Sequence, residues 1–163
     1  MKKLIFVRHG KAEDQAPEFS DFERSLTTKG KIIARQMAQK FKERENSPGL
    51  IVTSPAFRAL ETAIIFSEEF GIEPEKIRID SNLYHKMNSR YLSGLLSLVS
   101  EDIETITLFG HNPSFSVIPE SLCKEGFDFL PKCGIICVSF NIRRWAEFSF
   151  KTGKMEYFLK PEK

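Results

Sequence analysis

The chain has 163 residues, of which 41% are hydrophobic and 28% are charged, a composition typical of folded globular proteins and not of disordered ones. Its 24 basic and 22 acidic residues leave a formal net charge of +2, which is too small to indicate a nucleic-acid-binding protein. No window approaches the ~20 apolar residues of a membrane span, and the short apolar run Leu4–Val7 leads directly into Arg8 without a cleavage site. We therefore expect neither a membrane segment nor a signal peptide.

The chain has three cysteines, Cys123, Cys133 and Cys137, and an odd, sparse set argues against a disulfide framework. The length fits one domain with a sizeable core. We expect a cytoplasmic protein whose residues 1–163 form a single domain.

The first half of the chain alternates apolar strand-like runs with helix-like segments. Residues 3–7 predict a strand buried on both faces, and residues 50–53 predict a second strand. Thr27 caps a predicted helix that runs to about residue 45, and its inner face consists of Ile32, Ile33, Met37 and Phe41. After the second strand, Ser54 is the predicted N-cap of a helix with Pro55 at its first position, ending near Gly71.

The second half continues the alternation. It contains predicted strands at residues 77–79, 105–109, 134–140 and 145–150, a helix at residues 89–99, and a short helix beginning at Asn112 and Pro113. Gly153 predicts a hairpin turn into a last strand at residues 155–159. The pattern predicts a three-layer α/β/α sandwich with a mostly parallel sheet, to which the late hairpin adds antiparallel edge strands.

Three short motifs each follow a predicted strand. Arg8 and His9 follow the first strand, Arg58 lies shortly after the second, and His111 follows the strand that begins near residue 105. Because ligands in open α/β sheets bind beyond the carboxyl ends of the strands, these four side chains are expected to meet in one crevice. Such a crevice suits phosphoryl transfer, since arginine binds phosphate oxygens bidentately and a neutral histidine can attack phosphorus.

Together the motifs resemble the histidine phosphatase superfamily, whose fold is that of phosphoglycerate mutase. The motifs are Arg8-His9-Gly10-Lys11-Ala12, Ser54-Pro55-x-x-Arg58-Ala59-x-x-Thr62-Ala63 and Gly110-His111-Asn112-Pro113. The short length, the segment Asp21-x-x-Arg24-x-Leu26-Thr27-x-x-Gly30 and the final residues 145–161 are most similar to the SixA-type phosphohistidine phosphatases.

The resemblance implies a role for each matching residue. His9 is the nucleophile and is phosphorylated transiently, while Arg8, Arg58 and a cationic His111 hold the phosphoryl oxygens. Gly10, Arg24 and Asn112 are the substrate-binding candidates, although Arg24 can equally serve to tie its loop through Asp21. The resemblance implies no metal and no cofactor, and the sequence contains no metal-ligand cluster.

Larger members of the superfamily use a carboxylate as general acid, in a stretch that corresponds to residues 80–88 of this chain. That stretch contains no Glu, and Asp80 lies too close to a predicted strand to be a good substitute. Either another residue, such as His85, supplies the proton or the substrate needs little acid help. The second possibility favours phosphohistidine on a protein, because a P–N bond to a protonated imidazole breaks more easily than an aliphatic ester.

Two alternatives stay open at this stage. The same pocket fits a phosphatase of a small phosphorylated metabolite, and it also fits a non-catalytic module that recognises phosphorylated partners. A further pattern, Cys137 to Arg143, has the spacing of cysteine-dependent phosphatases but lacks the glycines that let a loop curl around phosphate, so we interpret it as a core strand.

Overall fold

One six-stranded sheet organises the computed structural model, which describes residues 1–163. The strands are β1 (Lys2–Arg8), β2 (Leu50–Thr53), β3 (Arg78–Ile79), β4 (Thr105–Gly110), β5 (Ile135–Phe140) and β6 (Lys154–Leu159). Their order in the sheet is β3-β2-β4-β1-β5-β6. The first four run parallel, whereas β5 is antiparallel to β1 and β6 is antiparallel to β5. The mostly parallel sheet is therefore confirmed.

Helices cover both faces of this sheet. They are α1 (Thr28–Arg44), α2 (Phe57–Glu69), α3 (Ser89–Leu98) and α4 (Ser114–Leu122). One apolar core joins the sheet to α1 and α2, and a second core joins the other face to α3 and α4. The three-layer prediction is confirmed, and the segment between β3 and β4 adds only α3 and a 3-10 turn at Ser81–Leu83, so no cap domain covers the sheet.

The apolar run of β1 shows why this strand is buried on both faces. Leu4 and Phe6 point into the core under α3 and α4, and Ile5 and Val7 point into the core under α1 and α2. All four are fully buried. Because side chains of a strand alternate between faces, both halves of the run had to be apolar once helices covered both sides.

Helix α1 begins as predicted, since the Thr27 hydroxyl oxygen accepts a hydrogen bond from the Gly30 N–H at 2.9 Å. Its predicted inner face is correct for Met37 and Phe41, which are buried, but wrong for Ile32, whose side chain is 51% exposed. The face that packs inward consists of Gly30, Ala34, Met37, Ala38 and Phe41. The small residues of this face allow α1 to pack closely against its neighbours. The prediction had favoured the large apolar side chains and therefore assigned the buried face incorrectly.

Two predicted helix starts are wrong, that of α2 by two residues and that of α4 by one. Helix α2 begins at Phe57 with Ala56 as its N-cap, and the hydroxyl of Ser54 instead accepts from the Ala56 N–H in the preceding turn. Helix α4 begins at Ser114, because the side chain of Asn112 bonds elsewhere and does not cap it.

The predicted strand at residues 145–150 is also wrong. This segment begins with a 3-10 turn at Trp145–Glu147, and β6 pairs with β5. Trp145 is buried and donates its indole N–H to the Ile103 carbonyl at 2.8 Å. Its bulk fills the second core, so an apolar aromatic run here reflects packing and not strand formation.

Candidate active site

The carboxyl ends of β1, β2 and β4 lie side by side. Arg8 pairs in register with Gly110, and Thr53 pairs with Phe109. His9, Ser54 and His111 follow these strand ends directly and therefore emerge at the same edge of the sheet. The structure brings His9, Ser54 and His111 together at this edge, where the rule for open α/β sheets predicts a ligand site.

His9 is buried, with only 8% of its surface exposed. Its backbone N–H donates to the Gly110 carbonyl at 3.0 Å, and its Nδ1 lies 2.7 Å from the Gly10 carbonyl oxygen. Since a carbonyl oxygen only accepts, Nδ1 must carry the proton and Nε2 keeps a free lone pair. Burial first, and then the charges of the neighbouring basic groups, lower the pKa of His9 to about 3, which keeps the ring neutral.

The ring of His111 lies beside that of His9, with 5.1 Å between their centroids. Nε2 of His111 is 2.8 Å from the Ser54 hydroxyl. The Ser54 hydroxyl accepts from the Ala56 N–H and can donate its own proton to Nε2, and in that tautomer the histidine proton lies on Nδ1. Burial, followed by the charge of Arg58, lowers the pKa of His111 to about 4, so without a bound anion this ring is neutral.

Arg58 lies in the first turn of α2 and is 7% exposed. It donates from Nη1 to the Asp21 carbonyl at 2.8 Å and from Nη2 to the Asp21 carboxylate at 3.1 Å. The same carboxylate accepts from Arg24 Nη1 at 2.8 Å and from the Tyr84 hydroxyl at 2.9 Å. Although burial raises its pKa, the bonds from Arg24 and Tyr84 and the charge of Arg58 lower the pKa of Asp21 to about 2.

Arg8 contacts residues 129 and 130 and lies close enough to both histidines for its charge to act on them. Its Nη1 donates to the Leu130 carbonyl at 3.2 Å, and its guanidinium lies 5.6 Å from the ring centre of Phe129. Its charge acts on both histidines, since it contributes to the lowered pKa of each. Two buried polar atoms of the structure have no hydrogen-bond partner, and they are Arg8 Nε and His111 Nδ1. Both point to a ligand that accepts hydrogen bonds, because buried polar groups are rarely left unpaired.

The three predicted substrate-binding residues all make bonds within the protein. The Gly10 N–H donates to the Thr62 hydroxyl at 3.1 Å, and the side-chain amide of Asn112 bonds to the Leu130 carbonyl and to the Ser116 hydroxyl. Arg24 donates to Asp21 and, through Nε, to the Glu13 carbonyl at 2.7 Å, so it ties the loop. Substrate contact by Gly10, Arg24 and Asn112 stays a prediction.

Sequence reasoning missed the contribution of Tyr84 and mistook that of Ser54. The Tyr84 ring stands nearly perpendicular to that of His111, with 5.8 Å between their centroids, and its hydroxyl holds Asp21. Nothing in the local sequence marks Tyr84. Ser54 was recognised as a polar residue at a strand end, but it was interpreted as a helix N-cap, and its contact with His111 was not predicted.

The remaining candidates lie away from this chemistry. Asp80 accepts from the Tyr91 hydroxyl and from Asn82, and these bonds help to lower its pKa against the opposing effect of burial. Cys137 is fully buried in β5, and burial raises the pKa of its thiol to about 12, as the core interpretation requires. No group of three or more His, Cys, Asp or Glu side chains is placed to share a metal ion.

None of the helices combines the length and the apolar character that crossing a bilayer would require.

Comparison with known proteins finds similarity to histidine phosphatases. Residues 4–85 match the family model described as "Histidine phosphatase superfamily (branch 1)". The putative phosphohistidine phosphatase SixA from Agrobacterium tumefaciens is 25% identical and superposes with a TM-score of 0.80 over 98% of each chain. The protein histidine phosphatase SixA complexed with tungstate, at 22% identity, gives a TM-score of 0.82 over 98% of this chain and 97% of that one, a likeness of fold.

Among curated relatives, phosphoglycerate mutase 1 of Saccharomyces cerevisiae is 29% identical over 127 residues, which cover 73% of this chain. The chain spans about half the length of the curated relatives it matches, since the matched regions cover 45% and 49% of them.

Proposed function

The chain belongs to the histidine phosphatase superfamily, and we propose that it is a phosphatase in which His9 carries the phosphoryl group as a transient covalent intermediate. The state of His9 carries this proposal. Its Nδ1–H is bound to the Gly10 carbonyl and its ring is held neutral, so Nε2 offers a fixed lone pair. This is the form in which an imidazole attacks phosphorus.

The neighbouring groups supply what a phosphoryl transition state needs. Charge spreads over its three equatorial oxygens, and catalysis of this reaction is mostly positioning and electrostatic stabilisation. Arg8 and Arg58 provide two guanidinium groups, and the unpaired Nδ1 of His111 provides a further donor. Because these residues neutralise the phosphate charge, the proposal needs no metal.

The reaction then has two displacements. Nε2 of His9 bonds to phosphorus as the bond to the leaving atom breaks, and the leaving atom keeps the electron pair of that bond. An ester oxygen also needs a proton at this point, whereas the nitrogen of a protonated phosphoimidazole leaves as part of a neutral ring. Water next attacks the phosphorus on His9, which releases inorganic phosphate and restores the neutral ring. We place this chemistry in one domain formed by residues 1–163, since strands from Lys2 to Leu159 share a single sheet.

We further propose that the substrate is phosphohistidine on a protein. The carboxylates of Asp21 and Asp80 are both engaged by protein groups, because Asp21 binds two arginines and Tyr84, and Asp80 binds Tyr91 and Asn82. Both have lowered pKa values and are poor proton donors. A phosphorylated imidazole that is already protonated leaves without such a donor, whereas an aliphatic ester needs one.

Trapping the intermediate tests the catalytic part of the proposal. Wild-type protein mixed with a radiolabelled phosphohistidine peptide and quenched within milliseconds should retain label that is stable to alkali and lost in acid. His9→Ala should retain no label and release no phosphate. Label on another residue, or turnover by His9→Ala at the wild-type rate, would refute the proposed nucleophile.

A substrate panel tests the substrate part separately. We expect kcat/KM for phosphohistidine peptides to exceed that for sugar phosphates and other aliphatic phosphomonoesters by at least about a hundredfold, the low end of the usual contribution of general acid–base catalysis. A marked preference for one small phosphomonoester would instead assign the pocket to a metabolite and leave His9 as the nucleophile.

A further inference from the structure

A groove of about 670 Å³ borders the proposed phosphate site and shares Arg8 with it. Four separate parts of the chain line it. Lys11 follows the strand-end motif, Lys29 and Ile33 come from the start of α1, and the others belong to residues 129–133 and 160–163. The groove therefore runs from the site along the edge of the sheet where β1 ends.

Every ionisable side chain that lines the groove is a cation or a buried thiol. Besides Arg8, the lining contains Lys11, Lys29, Lys132, Lys160 and Lys163, with no carboxylate side chain. None of these lysines takes part in an ion pair of the structure. The nearby carboxylate of Glu162 binds Lys40 outside the groove, at 3.0 Å. Although the net charge of the chain is only +2, the groove gathers Arg8 and five lysines without an ion pair.

The surface between these charges is apolar. Phe129 is 55% exposed, and Ile33, Pro131 and Pro161 complete the apolar lining. The guanidinium of Arg8 lies over the Phe129 ring, so a single side chain connects the apolar surface with the phosphate site.

We propose that this groove binds an acidic segment, with at least one aliphatic side chain, of the protein that presents its phosphohistidine to His9. The proposal rests on the proposed function and adds a docking surface to it. Carboxylates of the segment would face the lysines, and its aliphatic side chain would cover Phe129 and Ile33. Because the groove begins at Arg8, residues next to the phosphohistidine would enter it as the phosphoryl group enters the site.

A protein segment fits the groove better than a nucleic acid. Single strands bind through successive bases stacked on several aromatic rings, whereas Phe129 is the one aromatic ring in the lining. The remaining apolar residues are aliphatic, which suits an aliphatic side chain.

Direct binding of a defined probe tests the docking surface independently of turnover. The probe is an unphosphorylated fluorescent peptide of Glu and Asp with a central Leu next to His, measured by anisotropy at 50 mM salt. We expect Lys132→Glu/Lys160→Glu to weaken binding at least about tenfold, and raising the salt to 300 mM to weaken binding to the wild type in the same direction.

Lys154→Glu is the matched control. Lys160 directly follows β6 and Lys154 begins it, so the same charge reversal is placed at the opposite end of one strand, on an exposed residue. We expect this variant to bind the peptide like the wild type. Equal binding by the double variant and the wild type, or tighter binding of a single-stranded oligonucleotide of the same charge than of the peptide, would overturn the proposal.

Turnover then separates failure of the docking surface from failure of the proposed function. Two phosphohistidine peptides, one with acidic and one with neutral flanks, are compared by kcat/KM. The wild type and Lys154→Glu should prefer the acidic flanks about tenfold, and the double variant should lose this preference. Hydrolysis of neither peptide by the wild type would refute the function, whereas hydrolysis of both without preference would refute the docking surface alone.

Discussion

His9 and His111 are two buried imidazoles among guanidinium groups, an environment that disfavours their charged forms. The pKa of His9 falls to about 3 and that of His111 to about 4, from an ordinary value of 6.5, with burial as the largest cause in each. In the free protein the proposed nucleophile His9 and the proposed donor His111 are therefore both neutral. A bound phosphoryl group supplies negative charge beside His111 and raises its pKa, which is how the cationic His111 expected from the family resemblance would arise.

The same shifts predict an acid-sensitive fold. Below about pH 6.5 the unfolded chain takes up a proton on each histidine, while the folded protein takes up none until about pH 4. The unfolded state then binds more protons, so the free energy of unfolding falls as the pH drops from 6.5 to 4. Urea titrations at pH 7 and pH 4.5 should show that the free energy of unfolding falls less for His9→Asn than for the wild type as the pH is lowered.

His85→Asn is the control for this comparison because His85 is exposed. It should lose as much stability as the wild type between the two pH values. A loss for His9→Asn equal to that of the wild type would mean that His9 is not held neutral by the fold.

Asp21 positions Arg58, since both hydrogen bonds recorded for that guanidinium end on Asp21 atoms. Asp21→Ala removes the carboxylate contact and should lower kcat/KM about tenfold, because Arg58 would then no longer be held in position to bind the phosphoryl oxygens. Asp14→Ala, in the same polar loop but without a recorded contact, should leave kcat/KM within about twofold, in line with the small effects of most surface changes.

A pH profile separates positioning by Asp21 from simple loss of structure. If Asp21→Ala acts through Arg58, the decrease in kcat/KM should persist at pH values at which circular dichroism shows the variant to be fully folded. Full activity of Asp21→Ala would contradict a positioning role.

At the scale of elements, α1 contacts the loop that follows β1 and the proposed nucleophile His9. A Cβ on Gly30 would lie 2.2 Å from the Lys11 carbonyl oxygen, so only glycine allows the helix to approach this loop. The Thr27 N–H also donates to the Lys11 carbonyl, at 2.9 Å. The start of α1 therefore fixes the path of the chain just after His9 and Gly10.

Two glycine-to-alanine changes should have opposite effects on stability. Gly30→Ala should lower the free energy of unfolding by about 1–3 kcal/mol, because the methyl group meets backbone that cannot yield. Gly94→Ala, in α3 with nothing within 4 Å of the new Cβ, should raise it by about 0.5–1 kcal/mol through helix propensity. Chemical denaturation of both variants measures the difference, and a change of the same sign in both would contradict the packing argument.

Elements with one dominant local signal could be predicted from the sequence. The apolar run of β1, the limits of β2 and the Thr27 cap are examples. The failures arose where tertiary packing decides, as with buried Trp145 in a turn and exposed Ile32 on α1. Neither residue differs in type from those that do form a strand or a buried helix face.

For the whole molecule, chain order explains why the candidate site was partly predictable. Arg8 ends a parallel strand and His9 and His111 directly follow parallel strands, so the rule that ligands bind at the carboxyl ends of strands places them together from the sequence alone. Tyr84 and Asp21 come from irregular segments between elements, whose path depends on contacts far away in the sequence. Their meeting could be found only in three dimensions.

The sheet also carries a group of stabilising contacts at the end opposite the proposed site. At the end opposite the site, the buried carboxylate of Glu45 accepts from Lys3 at 3.0 Å and from the Tyr157 hydroxyl at 2.9 Å. These contacts join α1, β1 and β6 and leave the other end of the sheet to the proposed phosphate site and the basic groove.

The central claim is that Arg8, His9, Arg58 and His111 bind one phosphoryl group. A crystal structure with tungstate bound tests it most directly, since tungstate is an oxyanion that resembles the transferred phosphoryl group. We expect one anion within hydrogen-bond distance of Arg8, Arg58 and His111 Nδ1, with His9 Nε2 about 3–3.5 Å or less from its central atom, in line for attack. An anion bound elsewhere, or one that His9 Nε2 cannot approach while the two arginines hold it, would contradict the account.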